Sequence, residues 1–163
     1  MIILQTLGLF LHLIALGLWL GGMAFFLIVF GPAAQNLRPG LSLKVLNCGR
    51  ARFENLSWVG IGLLVITGIL NLVLRAQTTH LGQLYMVILA VKLLLFFAMF
   101  IHHALQVFKY GPKITLLMNE TADSVDVWPE PLHSYWTKWF MLLKLNATLG
   151  PITTLFALAL ITR

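Results

Sequence analysis

Charge is what this chain has least of. Only 10% of its 163 residues are charged, and Asp and Glu together number five. Soluble domains carry roughly 25% charged residues and about 45–50% apolar ones. Here 60% are hydrophobic and the mean hydropathy is +0.91. A soluble globular domain, a disordered chain and a secreted disulfide scaffold are thereby excluded. The single cysteine, Cys48, has no internal partner for a disulfide. No basic stripe with interleaved aromatics accompanies the net charge of +6, so nucleic acid is not an expected partner. The expected partner is a lipid bilayer, in which Lys and Arg report orientation.

Charge-free stretches divide the chain. Residues 1–37 and 55–74 carry no charge, 76–108 carry only Lys92, and 139–162 carry only Lys144. A helix needs about 20 residues to cross a hydrocarbon core of about 30 Å. The pattern predicts an all-α integral membrane four-helix bundle in one domain, 1–163. Its helices are expected near 3–30, 56–74, 84–107 and 139–162, joined by cytoplasmic loops 31–55 and 108–138. No Lys or Arg precedes position 38 and the first apolar run is about twice a signal-peptide core of roughly 7–15 residues, so this helix is expected to be retained. No internal repeat stands out.

The two long loops hold Arg38, Lys44, Arg50, Arg52, Lys109, Lys113 and Lys138, against Arg75 and Arg163 on the other side. The positive-inside rule then places both termini outside, on the periplasmic side of a bacterial inner membrane. Trp128, Trp136 and Trp139 are expected to form an interfacial belt. The loop 108–138, with Glu120, Asp123, Asp126 and Glu130, is expected to be a solvated connector.

Ionisable residues inside a bilayer are costly and mark functional positions. These are His12, Lys92, His102 and His103. On the first helix Gly8, His12, Ala15, Trp19, Gly22 and Phe26 follow at steps of four and three, so they share a face. Its small residues admit a neighbouring backbone or a flat cofactor. The third span has a matching seam of Tyr85, Lys92, Phe96, Met99, His103 and Gln106. His102 is turned about 100° away, so His103 is expected inside. The second span offers Gly60, Leu64, Thr67 and Asn71, and the fourth Lys144, Thr148 and Pro151, with Thr153 and Thr154 beyond. At about 1.5 Å per residue, His12, Lys92, Thr67 and Asn71 share an outer layer, and His103 lies about 16 Å deeper than Lys92.

The run HLIALGLWLGG at 12–22 resembles the first-helix motif of the copper resistance protein D (CopD) family. A related pattern of His, then Trp, then small residues and Gly occurs in HemJ-type protoporphyrinogen oxidases. RFENLSWVGIGLLVITGILN at 52–71 looks like the CopD domain, and LAVKLLLFFAMFIHH at 89–103 resembles both families. The resemblance covers the first three spans. It marks His12, Lys92 and His103, and implies either copper uptake across the inner membrane or haem b binding with protoporphyrinogen oxidation. The chain departs from HemJ after the first motif, where FFLIVFGPA stands in place of an aromatic-proline-arginine continuation.

The expected cofactor is haem b, held by His12, Trp19, Gly22, Asn71, Lys92 and His103, with His12 and His103 as the candidate metal ligands. Imidazole suits iron. The expected role is electron transfer or haem handling, alone or as a subunit of a larger membrane complex. Copper is the alternative cofactor, but Cu(I) favours soft ligands, and Met99 with His103 is the single soft pair one turn apart. A HemJ-like oxidoreductase, with His12 and Lys92 handling protons, is the enzymatic alternative, and the reading leans toward a non-enzyme.

Overall fold

The computed structural model describes residues 2–78, 82–121 and 127–161. Asp123, Asp126 and Arg163 lie outside the described residues, as does residue 162 at the expected end of the fourth span. The chain is an all-α bundle of four long helices, each long and apolar enough to cross a membrane: Ile3–Gln35, Pro39–Gln77, Gln83–Glu120 and Leu132–Leu160. The first comprises α1 (Ile2–Phe25), a π-helical segment Phe26–Phe30, and α2 (Gly31–Gln35). α3 is Pro39–Thr78. The third comprises α4 (Gln83–Ala104), a second π segment Leu105–Tyr110, and α5 (Gly111–Glu120). α6 is Leu132–Ile161.

The two expected long loops are therefore mostly helix. Between α2 and α3 only residues 36–38 are non-helical, and the connector after α4 continues as helix to Glu120. The 40 residues of α3 extend about 60 Å, twice a hydrocarbon core. The surplus of every helix lies on the side of residues 36–38 and 127–131, here called the loop side. Arg38, Lys44, Arg50, Arg52, Glu54, Lys109, Lys113, Glu120 and Lys138 all lie there. Charge ends an apolar run without ending a helix, because a helix leaving the bilayer satisfies its own backbone.

Both π segments have the same cause. Each precedes a Gly-Pro pair, Gly31–Pro32 and Gly111–Pro112. Proline lacks an N–H, and its ring crowds the carbonyl four residues back. A widened turn relieves this: the N–H of Gly31 donates to the carbonyl of Phe26, and that of Gly111 to Gln106. The fold is thus two similar hairpins, each a long helix with a π turn and Gly-Pro, a short connection, and a long return helix. Counting back nineteen residues from Gly31 and from Gly111 reaches His12 and Lys92.

Within the hairpins α1 packs on α3 and α4 on α6. Along α1 and α3, Gly8 meets Asn71, Gly60 meets Ala15 and Trp19, Gly22 meets Phe53, and Gly49 meets Phe30. The predicted seam of α1 is therefore real: Gly8, Ala15, Trp19 and Phe26 are buried, and His12 and Gly22 partly so. Its small residues receive α3 and leave no slot for a flat ring between the two helices. On α6 the expected face of Lys144, Thr148 and Pro151 is exposed. The buried face is Trp136, Trp139, Leu143, Asn146, Gly150 and Thr153. Trp136 and Trp139 are likewise core residues, 1% and 0% exposed, rather than a belt.

Candidate functional site

The sequence-predicted residues fall into the two layers expected. In the outer layer, His12 Nδ1 lies 2.7 Å from Thr67 Oγ1. The Thr67 hydroxyl donates its one hydrogen to the Leu63 carbonyl at 2.5 Å. The threonine oxygen must therefore accept from His12, which puts a proton on Nδ1, so that in the neutral imidazole the lone pair is on Nε2. Gly68 packs beside the His12 ring, where a Cβ would make an ordinary contact at 3.5 Å with Cε1. Lys92 is half-buried on the outer part of α4. Asn71 packs on Gly8 one turn toward the chain terminus. On the facing helix, no residue from Gln83 to Ala98 is buried, so the outer part of α4 does not close tightly over His12.

The deeper layer is aromatic. His103 is 0% exposed, and its ring is ringed edge-on by Trp58 at 5.2 Å, Phe53 at 6.3 Å and Trp19 at 6.4 Å. Trp19 also touches Phe96. His102, as expected, is less buried than its neighbour, yet it is not idle. Asn146 donates to the Met99 carbonyl at 3.1 Å, so its side-chain oxygen accepts from His102 Nδ1 at 3.0 Å. Asn146 is thus a fully buried link between α4 and α6.

The structure brings together His12 and Thr67, with Lys92 on the outer part of α4. It does not bring His12 and His103 to one centre, because His103 contacts rings two to three turns deeper. Trp19 belongs to the His103 layer, Gly22 packs on Phe53, and Asn71 fills the space at Gly8. Among the described residues no group of three His, Cys, Asp or Glu side chains is placed to hold a metal ion. The Met99 sulfur lies 3.7 Å from the Thr153 hydroxyl, whose one hydrogen goes to the Leu149 carbonyl at 2.9 Å, so this soft atom sits within the packing of α4 on α6.

One polar centre escaped the sequence. Arg50 and Glu54, 4% and 7% exposed, form an ion pair at 2.7 Å on the loop side. Arg50 Nη1 reaches both carboxylate oxygens, while Nε and Nη2 donate to Asn47, and Nη2 also to Thr115. Trp139 Nε1 donates to Glu54 at 3.0 Å. The pair thus ties α3 to α5 and α6. Gly111 makes room for it, since a Cβ there would press on Arg50 Nη1 and the Glu54 carboxylate. The i, i+4 spacing was a readable signal. A separate open groove of about 640 Å³, lined by Gln35, Leu37, Pro39, Ser42, Trp128 and His133, holds none of the predicted site residues.

No family model, curated protein or solved structure matches this chain.

Proposed function

We propose that the protein is a haem b-binding membrane protein of the electron-transfer or haem-handling kind, with His12 as the iron ligand. The observation that carries this is the relay from His12 Nδ1 through Thr67 to the Leu63 carbonyl. It orients the ring, fixes its tautomer and leaves Nε2 as the donor atom, the arrangement that second-shell partners impose on metal-ligating histidines. A ring would enter on the α4 side of His12, where no residue from Gln83 to Ala98 is buried, and not on the face of α1 that receives α3. Lys92, as the cation nearest His12, is the candidate partner for a propionate; Arg75 already lies over the Tyr85 ring at 4.9 Å. Haem, when bound, supplies one-electron chemistry between ferric and ferrous iron. The chain's own part is to hold the imidazole, supply a positive charge and exclude water with apolar helices. His103, boxed by three rings, is a weaker ligand candidate than His12.

The test is a reduced-minus-oxidised spectrum and a pyridine haemochrome of protein purified after expression with ample haem. A b-type α-band that His12→Ala abolishes and His102→Ala preserves is expected. No band in the parent protein overturns the proposal, and copper in the same preparation would revive the Met99–His103 alternative.

We further propose a bacterial inner membrane with the loop side cytoplasmic and both termini periplasmic, on the excess of Lys and Arg at the loop side. Exposed Cys48 on the loop-side half of α3 is a native probe. A membrane-impermeant maleimide should label it in inverted vesicles and leave it unlabelled in intact spheroplasts; the opposite pattern reverses the topology.

A further inference from the structure

Buried polar groups in folded proteins nearly always have hydrogen-bond partners, through protein or ordered water. Around His103 several do not. Both of its ring nitrogens, Gln106 Oε1, Trp19 Nε1 and Ser57 Oγ are buried, and none completes a well-formed hydrogen bond among the described residues, although Gln106 stands within reach of the His103 ring. None of the four residues is more than 1% exposed. Trp19 borders the His103 ring directly. Gln106 is the next turn of the same helix, within the second π segment, a deformation that often accompanies functional positions. Ser57 lies on the buried face of α3 between Phe53 and Gly60, next to Trp58, which is itself against His103. The Gln106 amide cannot be turned to cure the deficit, because its Nε2 already donates to the Trp139 carbonyl at 3.0 Å.

The unpartnered set mixes donors and acceptors. Trp19 offers an N–H; Gln106 offers a carbonyl; His103 and Ser57 offer one of each kind. A cation would satisfy only the acceptors and an anion only the donors. Haem iron on one His103 nitrogen would leave Gln106 and Trp19 unmet, and the three rings occupy the space that a porphyrin face needs. Water, with two hydrogens to give and two lone pairs, fits all of them and typically makes about three hydrogen bonds when buried.

We propose that His103, Gln106, Trp19 and Ser57 form a buried water-binding site, in which bound water bridges the imidazole to the Gln106 carbonyl. The backbone of α4 makes few close approaches to α1 and α3, so bulky side chains, not packed backbone, bridge that gap. Through Gln106 and Trp139 the site adjoins the Glu54–Arg50 network at the loop side. It gives a deeply buried imidazole an exchangeable proton, at a station separate from His12. The proposal does not rest on haem binding.

Water-edited solid-state NMR of the full chain in lipid bilayers, labelled with ¹⁵N-histidine, ¹⁵N-tryptophan and ¹⁵N-glutamine, tests it. Water magnetisation should reach the His103 ring nitrogens and Trp19 Nε1 at short mixing times, but not Trp139 Nε1, which is occupied by Glu54. Gln106→Leu or Ser57→Ala should remove most of the His103 transfer. The His103 signals are assigned by their loss in His103→Phe or, should that variant not assemble, by substituting the other histidines in turn. His103 nitrogens as silent as Trp139 Nε1, or shifted as metal-bound nitrogens, would overturn the proposal. A missing haem band would leave it standing.

Discussion

The two ends of this bundle are built differently. On the loop side the core is dense with rings: Phe26, Phe53, Trp136, Trp139 and Phe140 form a continuous set of contacts. Beside them lies an ion pair whose guanidinium makes five hydrogen bonds. On the terminal side, small residues of α1 meet α3, one imidazole bonds one threonine, and α4 buries nothing before Met99. The difference separates two jobs. The loop-side half holds the helices in register, much of it beyond the hydrocarbon where an ion pair is affordable. The terminal half, relieved of that task, keeps a polar pair facing a loosely packed helix, which suits a position that takes up a ligand.

If that division is correct, the largest loss follows from breaking the loop-side network. Arg50→Ala leaves Glu54 buried without its partner, a change that costs about 3–5 kcal/mol. It should sharply lower the unfolding temperature and folded yield in detergent. Arg50→Met combined with Glu54→Leu should recover part of that loss, since a buried pair replaced by apolar groups is often nearly neutral. Next in size, Gly111→Ala should cost about 1–3 kcal/mol by crowding the same pair. His12→Ala, on the terminal side, should leave the unfolding temperature nearly unchanged. Equal destabilisation from Arg50→Ala and His12→Ala would erase the comparison.

The same division explains what the sequence could disclose. The seams of α1 and α4 were legible because rare ionisable and small residues recur there at helical spacing. The face of α6 was not. Lys144, Thr148 and Pro151 are its conspicuous polar or irregular residues, yet all are exposed. A lysine near the edge of an apolar run reaches the interface by its own length, and a threonine satisfies its hydroxyl on its own helix, as Thr148 does on the Leu145 carbonyl at 2.8 Å. Asn146 was the better guide, because its amide cannot be satisfied that way. Arg50 and Glu54 were hidden for another reason: they sit where the apolar run ends, and that end was equated with the end of the helix.

A smaller effect sharpens the terminal half. Thr67→Val keeps the side-chain shape but removes the oxygen that accepts from His12. Loss of such a second-shell partner typically lowers metal affinity about 10–100-fold. Haem retention during dilution should fall accordingly, with the α-band present but weaker, while Thr67→Ser should restore it. Unchanged retention in Thr67→Val would mean that Thr67 merely packs.

The smallest expected effect lies between the halves, where His102 bonds Asn146 at 3.0 Å. Membrane-buried side-chain hydrogen bonds average only about 0.6 kcal/mol in double-mutant cycles, because the separated helices also find partners. His102→Ala, Asn146→Ala and the double variant should give a coupling of that order by reversible unfolding in mixed micelles. The Asn146 single change should cost more than the His102 change. Asn146 is 0% exposed and also donates to the Met99 carbonyl across to α4, whereas His102 is half-exposed. A coupling above about 1.7 kcal/mol, the top of that range, would move the boundary of the stabilising half past this pair and toward His12.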